Sequence, residues 1–326
     1  MLDLICWVVT EGFAGMENQC VGLAEAVGLR CEKKRVWRPP TPLRYLPPSL
    51  WPNPLKSTAE GGLAPPWPDV LISSGRGSVA AALAVRQASG GKTFNVHLQT
   101  PYVASSRFDL VVIPRHDSLR GDNVLVTRTA LHRVTKAKLA EAAQIFGASL
   151  AHLPRPLTAV LVGGSNKHQK CLPDVMHRMA DQLIAAARDR GGSLAVTTSR
   201  RTGEENAKIL RERLQDVPLF FWDGVDKNPY VGLLALADAI VVTSDSVSMV
   251  SEACATGKPV HVFNFGYGHK KLHQFHKALM DDGITRPFAG KIEAWPYDPP
   301  NETEAIANIV REYVRQRAMA VEWGWT

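Results

Sequence analysis

Apolar and polar positions in this chain follow two periods in turn. Short runs of Val, Ile and Leu, near-continuous in their apolarity, are each followed by a longer stretch whose apolar residues recur at helical spacing. In the first half the runs predict strands at residues 4–9, 32–37, 70–73, 94–98 and 110–113, with helices at 17–27, 78–88 and 136–146. In the second half they predict strands at 158–162, 193–197, 219–222, 239–242 and 260–263, with helices at 174–190, 204–214, 231–237, 246–255 and 271–281. A final helix over 302–320 is expected to return to the first half. Strand and helix alternating in this way specify an α/β protein, here two Rossmann-like domains with parallel sheets facing a cleft. The proline-flanked stretch 152–156 interrupts the rhythm and predicts a boundary between a domain of residues 1–153 and one of residues 154–326.

One segment breaks the pattern. Residues 38–68 contain ten of the chain's 22 prolines, and Trp37, Trp51 and Trp67 lie in or beside them. Regular structure is not expected there, which leaves a loop packed on its own domain or a functional lid. Composition narrows the class of protein. At 326 residues, with 45% apolar and 21% charged residues, the chain can bury two ordinary cores and is not disordered. Its 38 basic against 31 acidic residues give a net charge of +7, which favours an anionic partner: a phosphorylated small molecule, an acidic membrane surface or nucleic acid. The basic residues are scattered and no aromatic-basic recognition motif occurs, so nucleic acid is not expected. Five cysteines without a CxxC pair point to a reducing compartment and no structural zinc. No basic stretch precedes the first apolar run and no window reaches the length of a membrane span, so a cytoplasmic protein is expected, able to sit on the inner face of the membrane.

Ligands of open parallel sheets lie beyond the carboxyl ends of the strands, where loops enter helices and expose free N–H groups. Six such loops carry the candidate chemistry. In the first half, Glu11, Gly12, Gly15, Glu17, Asn18 and Gln19 follow the first strand, in a glycine turn that lacks GxGxxG spacing. Ser74, Gly75 and Arg76 follow the third, where a guanidinium beside a helix N-terminus forms an anion site or pairs with a nearby carboxylate. His97 and Gln99 follow the fourth. In the second half, Gly163, Gly164, Ser165 and Lys167 form one loop, and Ser199 and Arg200 another. Ser244, Asp245, Ser246, Val247 and Ser248 form the third, with Glu252 further along its helix. Small and hydroxylated residues keep these helix ends open to phosphate, although helix capping alone accounts for one of Ser244, Asp245 and Ser246. Trp222 offers a ring to a nucleobase. His269, His273 and His276 share one helical face among lysines, a pattern suited to an anion or a solvated surface and not to a metal.

The stretches TEGFAGMENQCVGLAEAVG, LISSGRGSVAAALAV, HLQTP, VLVGGSNKH, TTSRRTG and VTSDSVSMVSEACATGKPV resemble the ELM-type mitochondrial-fission family along nearly the whole chain. That family has plant members linked to mitochondrial division and bacterial members, some labelled nucleoside-diphosphate-sugar epimerases. The serine-rich loop, Glu252 and the following Gly257 to Val260 also resemble the donor site of glycosyltransferase-B enzymes. By that resemblance Ser246, Val247 and Ser248 face a diphosphate, Glu252 faces the ribose, and no metal or other cofactor is needed. An epimerase of the short-chain dehydrogenase kind is not implied, because the glycine turn after the first strand lacks the GxGxxG spacing of that NAD site.

The resulting expectation is a glycosyltransferase-like protein. Its second half binds a nucleotide-sugar, and its first half presents an acceptor, lipid-linked or part of the cell envelope. Glu17, Glu11 and His97 are the candidate general bases in that order, with Arg76, Lys167 and Arg200 balancing phosphate charge. The alternative is a non-catalytic scaffold or membrane-associated interaction protein that retains the fold.

Overall fold

Strands that are apolar on both faces must be covered on both faces, and helices cover them here. The computed structural model describes residues 4–58, 61–166, 169–222, 224–266, 268 and 270–322, with side chains through 316. The chain forms two units, Met1–Arg133 with Asn301–Thr326, and Val134–Pro300.

The first unit contains β1 (Cys6–Thr10), α1 (Ala14–Val27), β2 (Cys31–Arg35), β3 (Val70–Ser74), α2 (Arg76–Ala88), β4 (Phe94–Leu98), β5 (Leu110–Pro114) and β6 (Val124–Thr127). All pair in parallel in the order β2-β1-β3-β4-β5-β6. Alternate residues divide the sheet between two layers, as the pleat requires. Val8, Ile72 and Val96 join a core with α1, while Val9, Leu71 and Val111 join one with α2. The last helix, here labelled α9 (Glu302–Glu322), belongs to this unit: Ile306, Ala307 and Val310 enter the α1 core and Tyr313 stacks on Phe94 at 3.7 Å.

The second unit runs α3 (Lys136–Leu150), β7 (Leu157–Val162), α4 (Pro173–Arg190), β8 (Ser193–Thr198), α5 (Glu204–Arg213), β9 (Leu219–Phe221), α6 (Tyr230–Leu236), β10 (Ala239–Thr243), α7 (Val247–Cys254), β11 (Val260–Phe263), α8 (Lys270–Asp281) and β12 (Thr285–Pro287). Its strands are parallel in the order β12-β11-β10-β7-β8-β9. Helix α3 lies in this unit, so the division falls before it and not at 153/154. The Phe146 ring fills the notch left by Gly232 of α6, where a Cβ would stand 2.6 Å from the ring. The prolines at 154 and 156 thus join α3 to β7 inside one unit.

Two strands are absent from the periodicity, β6 and β12. Both are short edge strands, β6 largely half-exposed and β12 ending on Pro287, so neither shows a buried apolar run. Residues 38–68 hold three single 3-10 turns at Leu43–Tyr45, Pro48–Leu50 and Pro54–Lys56. The ends of the segment are tied together where Trp37 N–H donates to Ser57 O at 2.9 Å, and the last two turns pack on α2. Among the described residues no helix is long and apolar enough to cross a membrane.

In each sheet the chain reverses its direction of travel once. In the first unit the reversal lies between β1 and β3. In the second it lies between β7 and β10, in the 3-2-1-4-5-6 order of dinucleotide-binding sheets. Those two strand pairs mark where a ligand site is expected.

Candidate functional site

At the β7/β10 switch point of the second unit, Asp245 organises the loops. Its side chain is fully buried and accepts from Gly164 N at 3.0 Å, Thr243 Oγ1 at 2.7 Å and Arg201 Nη2 at 2.7 Å. Gly163 N donates to Thr243 Oγ1 at 2.8 Å, and Thr202 Oγ1 donates to the carbonyls of Val162, at 3.1 Å, and Gly163. Both glycines are required by space: a Cβ on Gly163 would stand 2.1 Å from Asp245 Oδ1, and one on Gly164 2.0 Å from Arg201 O. The loops after β7, β8 and β10 therefore form one hydrogen-bonded platform. Asp245 is spent inside that platform and does not face a ligand. Arg201, adjacent to the expected Arg200, is the guanidinium bound into it; Arg200 is exposed.

On this platform α7 begins. Ser246 caps the helix by accepting from Met249 N at 3.3 Å, and the amides of Val247 and Ser248 have no intrahelical acceptor. His276, on α8, supports the loop from below: its Nε2 donates to Ser244 O at 2.7 Å, so that nitrogen carries the proton. His276 is buried, which separates it from any cationic surface, and His269 lies outside the described residues. Glu252 stands on the second turn of α7, half-buried, and its Oε2 accepts from Tyr230 Oη at 2.5 Å. Burial raises the Glu252 carboxyl to about 6, partly opposed by the Tyr230 bond. Ser165 is exposed and its Oγ accepts from Cys171 N at 3.0 Å. Ser199 closes a turn with Thr202, its N–H donating to Thr202 Oγ1 at 3.0 Å. Trp222 is half-buried, with Nε1 donating to Asp226 O at 3.3 Å. Lys167 lies outside the described residues.

The first unit is arranged differently. Its glycines at the β1/β3 switch point make room for protein atoms: a Cβ on Gly75 would meet Met16 Sδ at 2.7 Å, and one on Gly77 would meet the Glu11 carboxyl at 2.3 Å. Glu11 itself occupies the anion slot at the start of α2, accepting from Gly77 N at 3.1 Å and pairing with Arg38 Nε at 2.7 Å. Arg76 turns away from that slot. Its Nη2 donates to Leu46 O at 3.0 Å and Tyr45 O at 3.4 Å, and its guanidinium lies over the Trp51 and Tyr102 rings. It staples the proline-rich segment to α2. Glu17 pairs with Lys33 at 2.8 Å and Arg35 at 3.5 Å; burial pushes its carboxyl up, but these two cations outweigh it and hold the group below the usual range. His97 is sealed within β4, bonded through Nδ1 to Ser73 Oγ at 2.8 Å, and burial lowers it to about 3. Ser74 and Gly75 are buried, Gly12, Gly15, Gln19 and Gln99 half-buried and Asn18 exposed; Gln99 adopts φ +81° as it leaves β4. The structure thus bonds the loops after β7, β8 and β10 together beside the start of α7, leaves Trp222 on the loop after edge strand β9, and leaves the three candidate bases engaged in internal contacts.

Two parallel α/β units with these switch points define a protein of the glycosyltransferase-B fold type. Residues 14–314 match the family described as Mitochondrial fission ELM1, and the chain belongs to that family. It is 29% identical to the mitochondrial fission protein ELM1 of Arabidopsis thaliana, an alignment covering 98% of this chain and 92% of the relative. It is 26% identical to an uncharacterized protein of Rickettsia prowazekii, covering 75% and 79%. The UDP-GlcNAc 2-epimerase of Methanocaldococcus jannaschii, solved with UDP-GlcNAc and UDP, superposes with a TM-score of 0.54 at 10% identity, covering 95% of this chain and 99% of that one. The UDP-GlcNAc 2-epimerase of Neisseria meningitidis bound to UDP-GlcNAc gives 0.52 at 13% identity, covering 96% and 99%. MurG of Acinetobacter baumannii gives 0.50 at 11%, covering 97% and 93%. At such identities the likeness is one of fold alone.

Proposed function

We propose that the second unit binds a nucleoside-diphosphate sugar at the β7/β10 switch point and that the protein transfers the sugar to an acceptor without a metal ion. The observation that carries this reading is the α7 N-terminus set on the Asp245 platform, with Glu252 one turn beyond it. The amides of Val247 and Ser248, which have no intrahelical acceptor, suit a diphosphate, and the helix dipole adds to them. Glu252 suits a ribose diol: its Oε1 remains beside the oxygen that takes Tyr230. Arg200, exposed in the loop after β8, would balance the charge of the departing diphosphate, together with Lys167, which follows Asn166 in sequence. Two structures of similar fold hold UDP-GlcNAc, which makes a UDP-sugar the first donor to try.

On the acceptor side, Leu43, Tyr45, Leu46 and Leu50 are exposed on the proline-rich turns beside Arg44. An ordered apolar and basic surface of this kind supports a lipid-linked acceptor or contact with an acidic membrane. Of the candidate bases, Glu11 lies at the switch point, and serving as one requires it to release Gly77 N.

The experiment is a thermal-shift screen against UDP, GDP, ADP, CMP and their sugars, followed by an assay for nucleotide release. A rise in melting temperature with one nucleotide, abolished in Glu252→Ala, is expected; no shift at millimolar ligand overturns the donor site. The engagement of Glu11, Glu17 and His97 in internal contacts favours a second reading, a scaffold that binds the nucleotide-sugar without turning it over. Binding without nucleotide release across a panel of acceptors would select it.

A further inference from the structure

The loop after β7 carries a group that no atom of the described residues satisfies. Gln169 is 6% exposed, and both Oε1 and Nε2 of its amide are buried without a hydrogen-bond partner. Its carbonyl is accounted for: Asn166 N donates to Gln169 O at 2.8 Å. The side chain leaves the β7 loop and reaches the β11 loop, where Nε2 lies 3.7 Å from the Cβ position of Gly266. The two loops follow β7 and β11, the strands on either side of β10, after which α7 begins. A buried amide with neither atom paired carries a desolvation cost that folded proteins seldom leave uncompensated.

We infer that the Gln169 amide is a specificity-determining group that reads the sugar of the bound donor. This rests on the donor reading above. The chemistry selects the sugar over the diphosphate: an amide presents N–H donors on Nε2 and an acceptor on Oε1, and phosphate oxygens, which only accept, leave Oε1 unpaired. A sugar hydroxyl accepts from Nε2 and donates to Oε1, and an acetamido group offers the same pair. Gly266, exposed and without a side chain, is the residue that borders Nε2.

The test measures, by calorimetry, the affinity of wild type and Gln169→Met for UDP and for UDP-N-acetylglucosamine, or for the nucleotide and sugar conjugate chosen by the screen. Methionine keeps the volume and removes both polar atoms, so the melting temperature of the ligand-free variant is expected to stay level or rise. The variant is expected to bind the nucleotide-sugar about tenfold more weakly while holding UDP within about twofold. An equal loss for UDP and its sugar conjugate, an unchanged affinity for the conjugate, or a fall in the melting temperature of the free variant each overturns the assignment. If wild type binds both ligands and the variant matches it, only this inference fails. If wild type binds neither, the donor reading fails and takes the inference with it.

Discussion

At the scale of single residues, Asp245 and Glu252 lie seven positions apart in sequence and do opposite work. Asp245 is a buried carboxylate with three donors, and removing it leaves Arg201, Thr243 and Gly164 N–H without their partner. Arg201 is partly exposed and can turn to water, so the main loss is the acceptor of the buried Gly164 N–H and Thr243 hydroxyl, and Asp245→Ala is expected to lower stability by about 2–3 kcal/mol in urea unfolding. Glu252 is held at a cost. Its folded carboxyl is raised to about 6 from 4.5, chiefly by burial. Between those values the folded state binds more protons than the unfolded one, so this group's contribution to stability falls as pH rises and is worst above 6. The penalty at neutral pH is about 2 kcal/mol. Glu252→Gln, which can still accept from Tyr230, is therefore expected to melt higher than wild type at pH 7.5, with the gap closing as pH falls through 6 to 4.5. The same variant is expected to lose nucleotide affinity. A gap that widens on acidification, or unchanged binding, contradicts the role given to this side chain.

At the scale of elements, the interior strands and nearly all the helices were legible because burial on two faces imposes an apolar run and burial on one imposes a helical period. What the periods could not show is what a glycine or an arginine is for. Gly75 and Gly77 look like a phosphate loop, but they accommodate Met16 and Glu11; Gly163 and Gly164 accommodate Asp245 and Arg201. The same residue answers different neighbours, and those neighbours come from distant loops. Arg76 is the clearest case, since its partners Tyr45, Leu46, Trp51 and Tyr102 lie in segments without a period. Gln169, Thr202 and Tyr230 carried no signal in the sequence beyond being polar. Arg76→Ala removes a charged donor from two carbonyls and a cation from two rings, a loss of about 2–3 kcal/mol. The expected result is faster proteolytic cleavage within residues 43–56, with circular dichroism unchanged; cleavage at the wild-type rate would show that the turns are held by α2 packing alone.

At the scale of the whole molecule, the two halves share a strand and helix rhythm but differ in strand order, and order is decided by which helix covers which face, long after any local pattern. The same holds for α9, which is more than a hundred residues from the rest of its unit in sequence. Glu302 bonds to Arg128 N at 3.0 Å, Thr303 Oγ1 accepts from His132 N at 3.0 Å, and Ile306, Ala307 and Val310 are buried in the α1 core. Uncovering Ile306 and Val310, with the Tyr313 contact to Phe94, forfeits about 4–6 kcal/mol, comparable with the whole stability of a marginal domain. A chain ending after Pro300 is therefore expected to lose the cooperative unfolding of its first unit. The second unit closes its own sheet, its own core and the Asp245 platform without α9, so the shortened chain is expected to keep nucleotide binding wherever the full chain shows it. Hydrogen exchange reads both parts at once: fast exchange across β1, β3 and β4, with slow exchange retained in β7, β8 and β10. Uniform loss of protection in both sheets would mean that the units do not hold their folds independently, and uniform retention would mean that α9 contributes little to the first core.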